Sequence, residues 1–127
     1  QGDWSSDVCS SDLPVAPPSV AYHARLHNTL KAVFPYAHSL YAPTPSYGSP
    51  WGFVLCSETV INTRPDPAAI DHLLAAKTTG GLRFIDGTTL LGILQTPRYI
   101  RQAIEDNPQV YTLSAPPKFF GKGVADK

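Results

Sequence analysis

Apolar and polar residues alternate along the first half of the chain with two different periods. Residues 19–34 follow a helical period, and Ser19 is placed to cap the start of that helix. Four apolar side chains share one face of the predicted helix: Leu26, Leu30, Val33 and Phe34. Pro35 then ends the segment, because proline cannot continue a helix.

Two strands are predicted after this helix. Residues 36–42 are rich in aromatic side chains and residues 51–57 form a mostly apolar run. The connecting residues 43–50 contain three prolines and a glycine. We therefore expect an antiparallel pair of strands with a shaped connection.

Shorter segments follow in the second half. Asp66 and Pro67 predict a helix start, Gly80-Gly81 its end, and Ile70, Leu73 and Leu74 its apolar face. The remaining segments are a brief strand at 82–85, an apolar helical turn at 88–95, a helix from Thr96 to about Asn107, and an extended stretch at 109–113. Tyr99, Ile100, Ala103 and Ile104 form the predicted buried side of that last helix.

The first 13 residues have neither a helical nor a strand period. Residues 3–13 read DWSSDVCSSDL, which resembles a common sequencing-library adapter translated in one frame. They also lack the charged and apolar regions of a signal peptide. We interpret residues 1–13 as an artefactual segment and exclude them from reasoning about the fold.

Composition limits the classes of protein. Of the 127 residues, 43% are hydrophobic and 16% are charged, as in a single globular domain. No apolar run approaches the roughly 18 residues of a membrane helix, so no membrane partner is expected. Without residues 1–13 the net charge is about +3, with no basic block, which argues against nucleic acid. Cys56 is then the single cysteine, which favours a cytoplasmic setting.

Few side chains stand out as candidates for chemistry. His23 and His27 have the i, i+4 spacing of a metal pair, but no third ligand is evident, so we interpret them as partly exposed helix histidines. His38 and His72 are expected to be structural, and Cys56 to be a buried, unreactive thiol. In the tail, Lys118-Phe119-Phe120 and Gly121-Lys122-Gly123 predict neither a nucleic-acid groove nor a phosphate loop.

The loop between the strands is the informative segment. Its sequence PSYGSPWGFVLCS, from Pro45 to Ser57, resembles the signature near the C-terminal end of the spermidine synthases, the polyamine aminopropyltransferases. Phe34-Pro35 ahead of it resembles the family's helix ending in Phe-Pro. Residues 81–84 and 94–99 behind it are similar to two later family segments. The matches occur in the family's order, which makes them far more specific than one motif.

The resemblance covers roughly residues 14–105. Leu90 stands where the family often has histidine, and Gln95-Thr96 replaces a commoner Val-Leu or Ser-Leu, which indicates a divergent branch. We divide the chain into the adapter-like segment 1–13, the C-terminal part of a catalytic domain at 14–106, and a C-terminal extension at 107–127.

The resemblance implies a fold and an activity. The fold is α/β: the C-terminal portion of a Rossmann-like domain of the S-adenosylmethionine-dependent methyltransferase type, with an incomplete sheet and an antiparallel strand pair. The full-length enzyme would transfer an aminopropyl group from decarboxylated S-adenosylmethionine, a co-substrate, to putrescine or a similar amine. No prosthetic group is implied, and a homodimer is one possible assembly.

Two residues carry over as substrate-binding candidates. Tyr47 matches the family's pocket aromatic, and Trp51 stands where large side chains border the same pocket. The catalytic, donor-binding and Asp-rich motifs of the family are absent, so this chain alone is expected to be inactive and marginally stable. The alternatives are a non-catalytic relative acting as an interaction domain and a related methyltransferase.

Overall fold

A computed structural model describes the backbone of residues 8–116 and the side chains of residues 13–116. Three strands and four α-helices form within this range, with short 3₁₀ turns at Pro17–Ser19 and Pro45–Tyr47. In chain order the elements are β1 (Val8–Pro14), α1 (Val20–Lys31), β2 (Tyr36–Thr44), β3 (Ser49–Ser57), α2 (Pro67–Lys77), α3 (Gly87–Ile93) and α4 (Arg98–Asp106).

The predicted antiparallel pair is present as a hairpin of β2 and β3. Its register runs from Tyr36 opposite Ser57 to Thr44 opposite Ser49. Gly48 has a φ of 72° at the tip, a left-handed conformation that glycine adopts without strain. Cross-strand partners share a face of the sheet, so Ser39, Val54 and Gly52 lie on one face and Trp51 on the other.

β1 completes a sheet of order β1-β3-β2, in which it is antiparallel to β3. The expectation that residues 1–13 contain no strand is therefore wrong for residues 8–13. The reason is physical: β3 offers a second row of backbone donors and acceptors, and an extended segment can pair with them through its own backbone without an apolar pattern.

Helix α1 packs on one face of this sheet through His23, Ala24 and His27, which are its buried residues. The predicted face through Leu26 and Leu30 is wrong as the main buried side, and Val33 beyond the helix is 71% exposed. α1 is covered on two sides, because α4 packs on it as well. Burial therefore does not follow a single apolar stripe.

Helices α2 and α3 pack on each other. Asp66 caps α2 by accepting from the Ala69 amide (3.3 Å), and Asp86 caps α3 by accepting from the Thr89 amide (2.8 Å). The start of α2 at Pro67 agrees with the prediction, and α3 begins one residue before the helical turn predicted from Thr88. α2 buries no residue, contrary to its predicted apolar face; Leu73, for example, is 49% exposed. Helix α3 contacts β2, and this contact links the pair of helices to the sheet.

The strand predicted at 82–85 is wrong. Gly80 and Gly81 both have left-handed φ angles, 82° and 74°, and the residues after them run as an exposed loop. No strand edge in residues 8–116 pairs with this loop, and an extended segment without a partner is not a strand.

The last predicted helix is α4, and Ile100 and Ala103 are buried on it as expected, whereas Tyr99 is 37% exposed. The extended stretch expected at 109–113 leads into a turn closed by a bridge between Thr112 and Ala115. The tail motifs at 118–123 lie outside the described residues. None of the described helices is both long and apolar enough to cross a membrane.

Gly52→Ala should destabilise the chain strongly. A Cβ at Gly52 would overlap Val15 and lie 2.7 Å from His23 Nδ1, where both neighbours are fully buried. Overpacking of this kind costs about 1–3 kcal/mol. Gly92→Ala in α3 is the matched control: no atom lies within 4 Å of its Cβ, and alanine in a helix gains up to about 1 kcal/mol.

Urea unfolding of the two variants measures the difference. A Gly52→Ala chain as stable as the native one would show that α1 does not press on β3 as described.

Candidate functional site

The two predicted substrate-binding residues lie side by side at the end of the hairpin. Tyr47 ends the 3₁₀ turn Pro45–Tyr47, and Trp51 follows at the start of β3. Their ring centroids are 4.2 Å apart and the ring planes are tilted by 47°. Tyr47 is 53% exposed, so one side of its ring packs on Trp51 while the side chain remains accessible to solvent.

A concave pocket of about 420 Å³ lies at the same end of the hairpin, and neither Tyr47 nor Trp51 is among its lining residues. Its walls come from the end of β2, the 3₁₀ turn and the start of β3: Tyr41, Pro43, Thr44, Pro45, Gly48, Ser49 and Pro50. Rigid prolines and one phenol ring supply most of the lining. Such a surface suits the packing of methylene groups, with hydroxyls nearby for hydrogen bonds.

The lining residues of this pocket include no carboxylate. Several acids of the described chain already serve the fold. Asp66 and Asp86 cap helices, and Asp71 accepts from the Gly87 amide at 2.7 Å. The hydrogen bond from the Thr89 backbone amide is the main reason that the pKa of Asp86 lies below its usual value. Any carboxylate that binds a ligand or accepts its proton at this end of the hairpin must therefore come from outside this pocket.

A second polar cluster lies on the other face of the hairpin, under α1. His23 Nε2 and His27 Nδ1 are each 2.7 Å from Ser39 Oγ, and all three residues are buried. The expectation that these histidines are partly exposed is therefore wrong. The i, i+4 spacing turns both rings toward the sheet, where an inward-facing serine holds them.

Burial lowers the pKa of both histidines from 6.5 to about 4. The neighbouring His27 lowers the pKa of His23 further, and Lys31 and His38 lower that of His27. Both rings are therefore neutral at pH 7. Across the described residues, no three His, Cys, Asp or Glu side chains are grouped as a metal site.

The other candidates have structural positions. His38 Nε2 is hydrogen-bonded to the carbonyl oxygen of Leu94 (2.5 Å), which ties β2 to the end of α3. His72 is exposed on α2, and Cys56 is buried in β3, as expected of an inaccessible thiol. The Thr96 hydroxyl donates to the Ser39 carbonyl at the outer edge of β2.

Ser39 is the residue that the sequence reasoning missed. Ser39 is a polar residue that lies opposite Val54, on the face of β2 that strand alternation predicts to be buried. A polar residue at such a position is the signal that could have identified it. Read together with the His23–His27 spacing, that position would have indicated a polar contact between helix and sheet.

Comparison with known proteins gives a consistent result, although no family model matches the chain. A polyamine aminopropyltransferase from Synechococcus sp. (strain JA-3-3Ab) is 46% identical over 112 residues, 83% of this chain and 35% of that protein. Polyamine aminopropyltransferase 2 from Hyperthermus butylicus is 32% identical over 109 residues, 86% of this chain and 35% of that protein. The chain thus spans about a third of the length of these relatives.

The fold agrees with the sequence comparison. The crystal structure of spermidine synthase from Thermotoga maritima superposes with a TM-score of 0.62 at 13% identity, over 77% of this chain and 34% of that one. This confirms the predicted fold class, part of a Rossmann-like α/β domain with an incomplete sheet.

The proteins that this chain resembles in sequence are accordingly of one class, the aminopropyl-transferring enzymes. The chain is a relative of the polyamine aminopropyltransferases, as its sequence predicts.

Proposed function

We propose that the protein to which this chain belongs transfers an aminopropyl group from decarboxylated S-adenosylmethionine to putrescine or a similar amine. The identity of 46% over 83% of the chain carries this proposal. The contact between Tyr47 and Trp51 supports it, because it places the two candidate binding residues at one accessible point.

The proposed reaction makes limited demands on the protein. The donor sulfonium is already a good leaving group, so the enzyme must align an amine for in-line attack and accept its proton. A free amine with a pKa near 10 is mostly protonated at neutral pH. Carboxylates must therefore hold the acceptor and take up its proton. The pocket at the hairpin has none, and we assign them to the part of the protein beyond this chain.

Tyr47 and Trp51 have different proposed roles at the acceptor. The Tyr47 hydroxyl would accept a hydrogen bond from an ammonium group, and its ring would pack on the methylene chain. Trp51 would border the same site and support the Tyr47 ring from behind, at the observed 4.2 Å. The acceptor would then lie against the exposed side of Tyr47.

The division of the chain is also part of the proposal. Residues 1–13 are adapter-derived, 14–106 belong to the catalytic domain and 107–127 extend it. Genomic sequence around codon 14 tests the first boundary. A cytoplasmic setting and a homodimer are proposed from the family resemblance.

A chimera tests the activity. Residues 14–106 of this chain would replace the homologous third of the Synechococcus relative, and the assay would measure release of 5′-methylthioadenosine from decarboxylated donor and putrescine. We expect the chimera to turn over, because it regains the acids and donor site of the larger protein. The chain of 127 residues alone should release nothing.

Circular dichroism and gel filtration of the chimera provide the folding control. A chimera that is folded and of the same size as its active parent, yet inactive with putrescine, agmatine, cadaverine and spermidine, would overturn the proposed function.

In the active chimera, Tyr47→Phe should reduce kcat/KM for the amine by about tenfold or more, because a hydrogen bond to a charged group contributes about 1.5–3 kcal/mol. Tyr36→Phe is the matched control, since Tyr36 is also exposed but lies at the opposite end of β2. Equal effects of the two substitutions on kcat/KM would show that Tyr47 does not bind the acceptor amine.

A further inference from the structure

The cluster of His23, Ser39 and His27 has more hydrogen-bonding groups than an ordinary buried contact requires. Two ring nitrogens converge on one hydroxyl oxygen, each at 2.7 Å. That hydroxyl carries one hydrogen, so at most one ring can accept from it and the other must donate to it. The three groups therefore form a chain with a direction.

An orphaned atom fixes the direction. Among the residues whose side chains are described, 13–116, the buried His23 Nδ1 has no hydrogen-bond partner, and it faces Gly52, where even a Cβ would come within 2.7 Å. A proton on that nitrogen would be a buried donor with no acceptor, which is the rarer and costlier arrangement. His23 therefore carries its proton on Nε2 and donates it to Ser39.

The Ser39 hydroxyl hydrogen is then available for the third member. His27 Nδ1 accepts it in the arrangement that uses the hydroxyl hydrogen within the cluster, and His27 then carries its own proton on Nε2. Every proton between the three residues now has an acceptor.

We propose that His23, Ser39 and His27 form a neutral proton chain that latches helix α1 to the β2–β3 hairpin and opens when acid adds one proton. The latch is separate from the Tyr47–Trp51 pair and does not depend on which reaction the protein catalyses.

Protonation of either histidine breaks this series of hydrogen bonds. A proton added to His23 must go to Nδ1, into the closed space beside Gly52. A proton added to His27 must go to Nδ1, where it removes the acceptor of the Ser39 hydroxyl. Each case also leaves a buried charge, and a buried charge without a counter-ion is strongly disfavoured.

The described groups around the latch do not offer such a counter-ion. His27 is influenced by Lys31 on its own helix and by His38 on β2, and both disfavour a further positive charge. Cys56 is buried on the same face of β3, and Tyr99 of α4 donates its hydroxyl to the Val15 carbonyl. Arg25 and Tyr22 on α1 act electrostatically on Tyr111 after α4. The acids of α4, Glu105 and Asp106, are exposed. Within residues 13–116, no carboxylate contributes to the pKa shift of either histidine.

The sign of the pH dependence follows from the lowered pKa values, about 4 when folded against 6.5. The unfolded chain binds more protons than the folded one between these values, so the latch is complete above pH 6.5 and is lost as the pH falls toward 4. The unfolding equilibrium constant should rise by about 100-fold or more across this window.

Ring nitrogen NMR on the 127-residue chain tests the latch directly. We expect His23 and His27 to keep their protons on Nε2 at pH 7 and to resist protonation until the pH is below about 5. The ring of His72, which is exposed on α2, serves as an internal control for the NMR signals of a solvent-accessible imidazole. A proton on His23 Nδ1, or titration of His23 and His27 near pH 6.5, would overturn the proposal.

A variant separates the latch from other acid effects. A triple variant replaces the hydrogen-bonded cluster with apolar groups: His23→Leu, His27→Leu and Ser39→Ala. In this variant the loss of stability between pH 6.5 and pH 4 should largely disappear. His72→Gln should leave that loss unchanged. If the triple variant folds and keeps the native pH dependence, the latch does not exist; the NMR titration decides the matter if it does not fold.

Discussion

Helix α1 can reach the hairpin because one residue of β3 has no side chain. Gly52 leaves the space that His23 and Val15 fill, and both are fully buried there. That approach brings His23 and His27 within hydrogen-bond distance of Ser39. A larger residue at Gly52 would push α1 away and separate the histidines from the serine. The hydrogen bonds of His23 and His27 to Ser39 therefore depend on the close approach of α1 to β3 at Gly52.

Other parts of the structure are fixed relative to this contact. Asn28 on α1 donates to the carbonyls of Ile104 and Asn107 (3.0 and 2.8 Å), which holds α4 against the same helix. The Ser39 carbonyl accepts from Thr96 at the start of α4. The hairpin carries Tyr47 and Trp51 at its end, so the packing of α1 also determines where the candidate acceptor site lies.

The sequence predicted local structure well where a single residue determines it. Asp66 starts a helix, as predicted, because its carboxylate accepts from an amide in the first turn. The breaker-rich loop around Gly48 predicted the hairpin, and family-like residues on both sides of it brought Tyr47 and Trp51 together as candidates. These features depend on neighbours a few residues apart, which a sequence displays directly.

The features that the sequence did not predict depend on distant partners. The burial of His23 and His27 requires Ser39 and Gly52, which are 12 to 29 residues further along the chain. The pairing of residues 8–13 with β3 depends on an available strand edge and not on their own pattern. Leu73 has the right period for a buried helix face, yet no described element covers it.

Native-state hydrogen exchange of the 127-residue chain tests most directly whether the rest of the structure depends on the contact between α1 and the hairpin. We expect amides of α1 and of β3 around Val54 and Cys56 to exchange slowest and together, as one cooperative unit. The exposed helix α2 should exchange faster. Slowest exchange in α2, or separate exchange of α1 and β3, would contradict this central role of the contact.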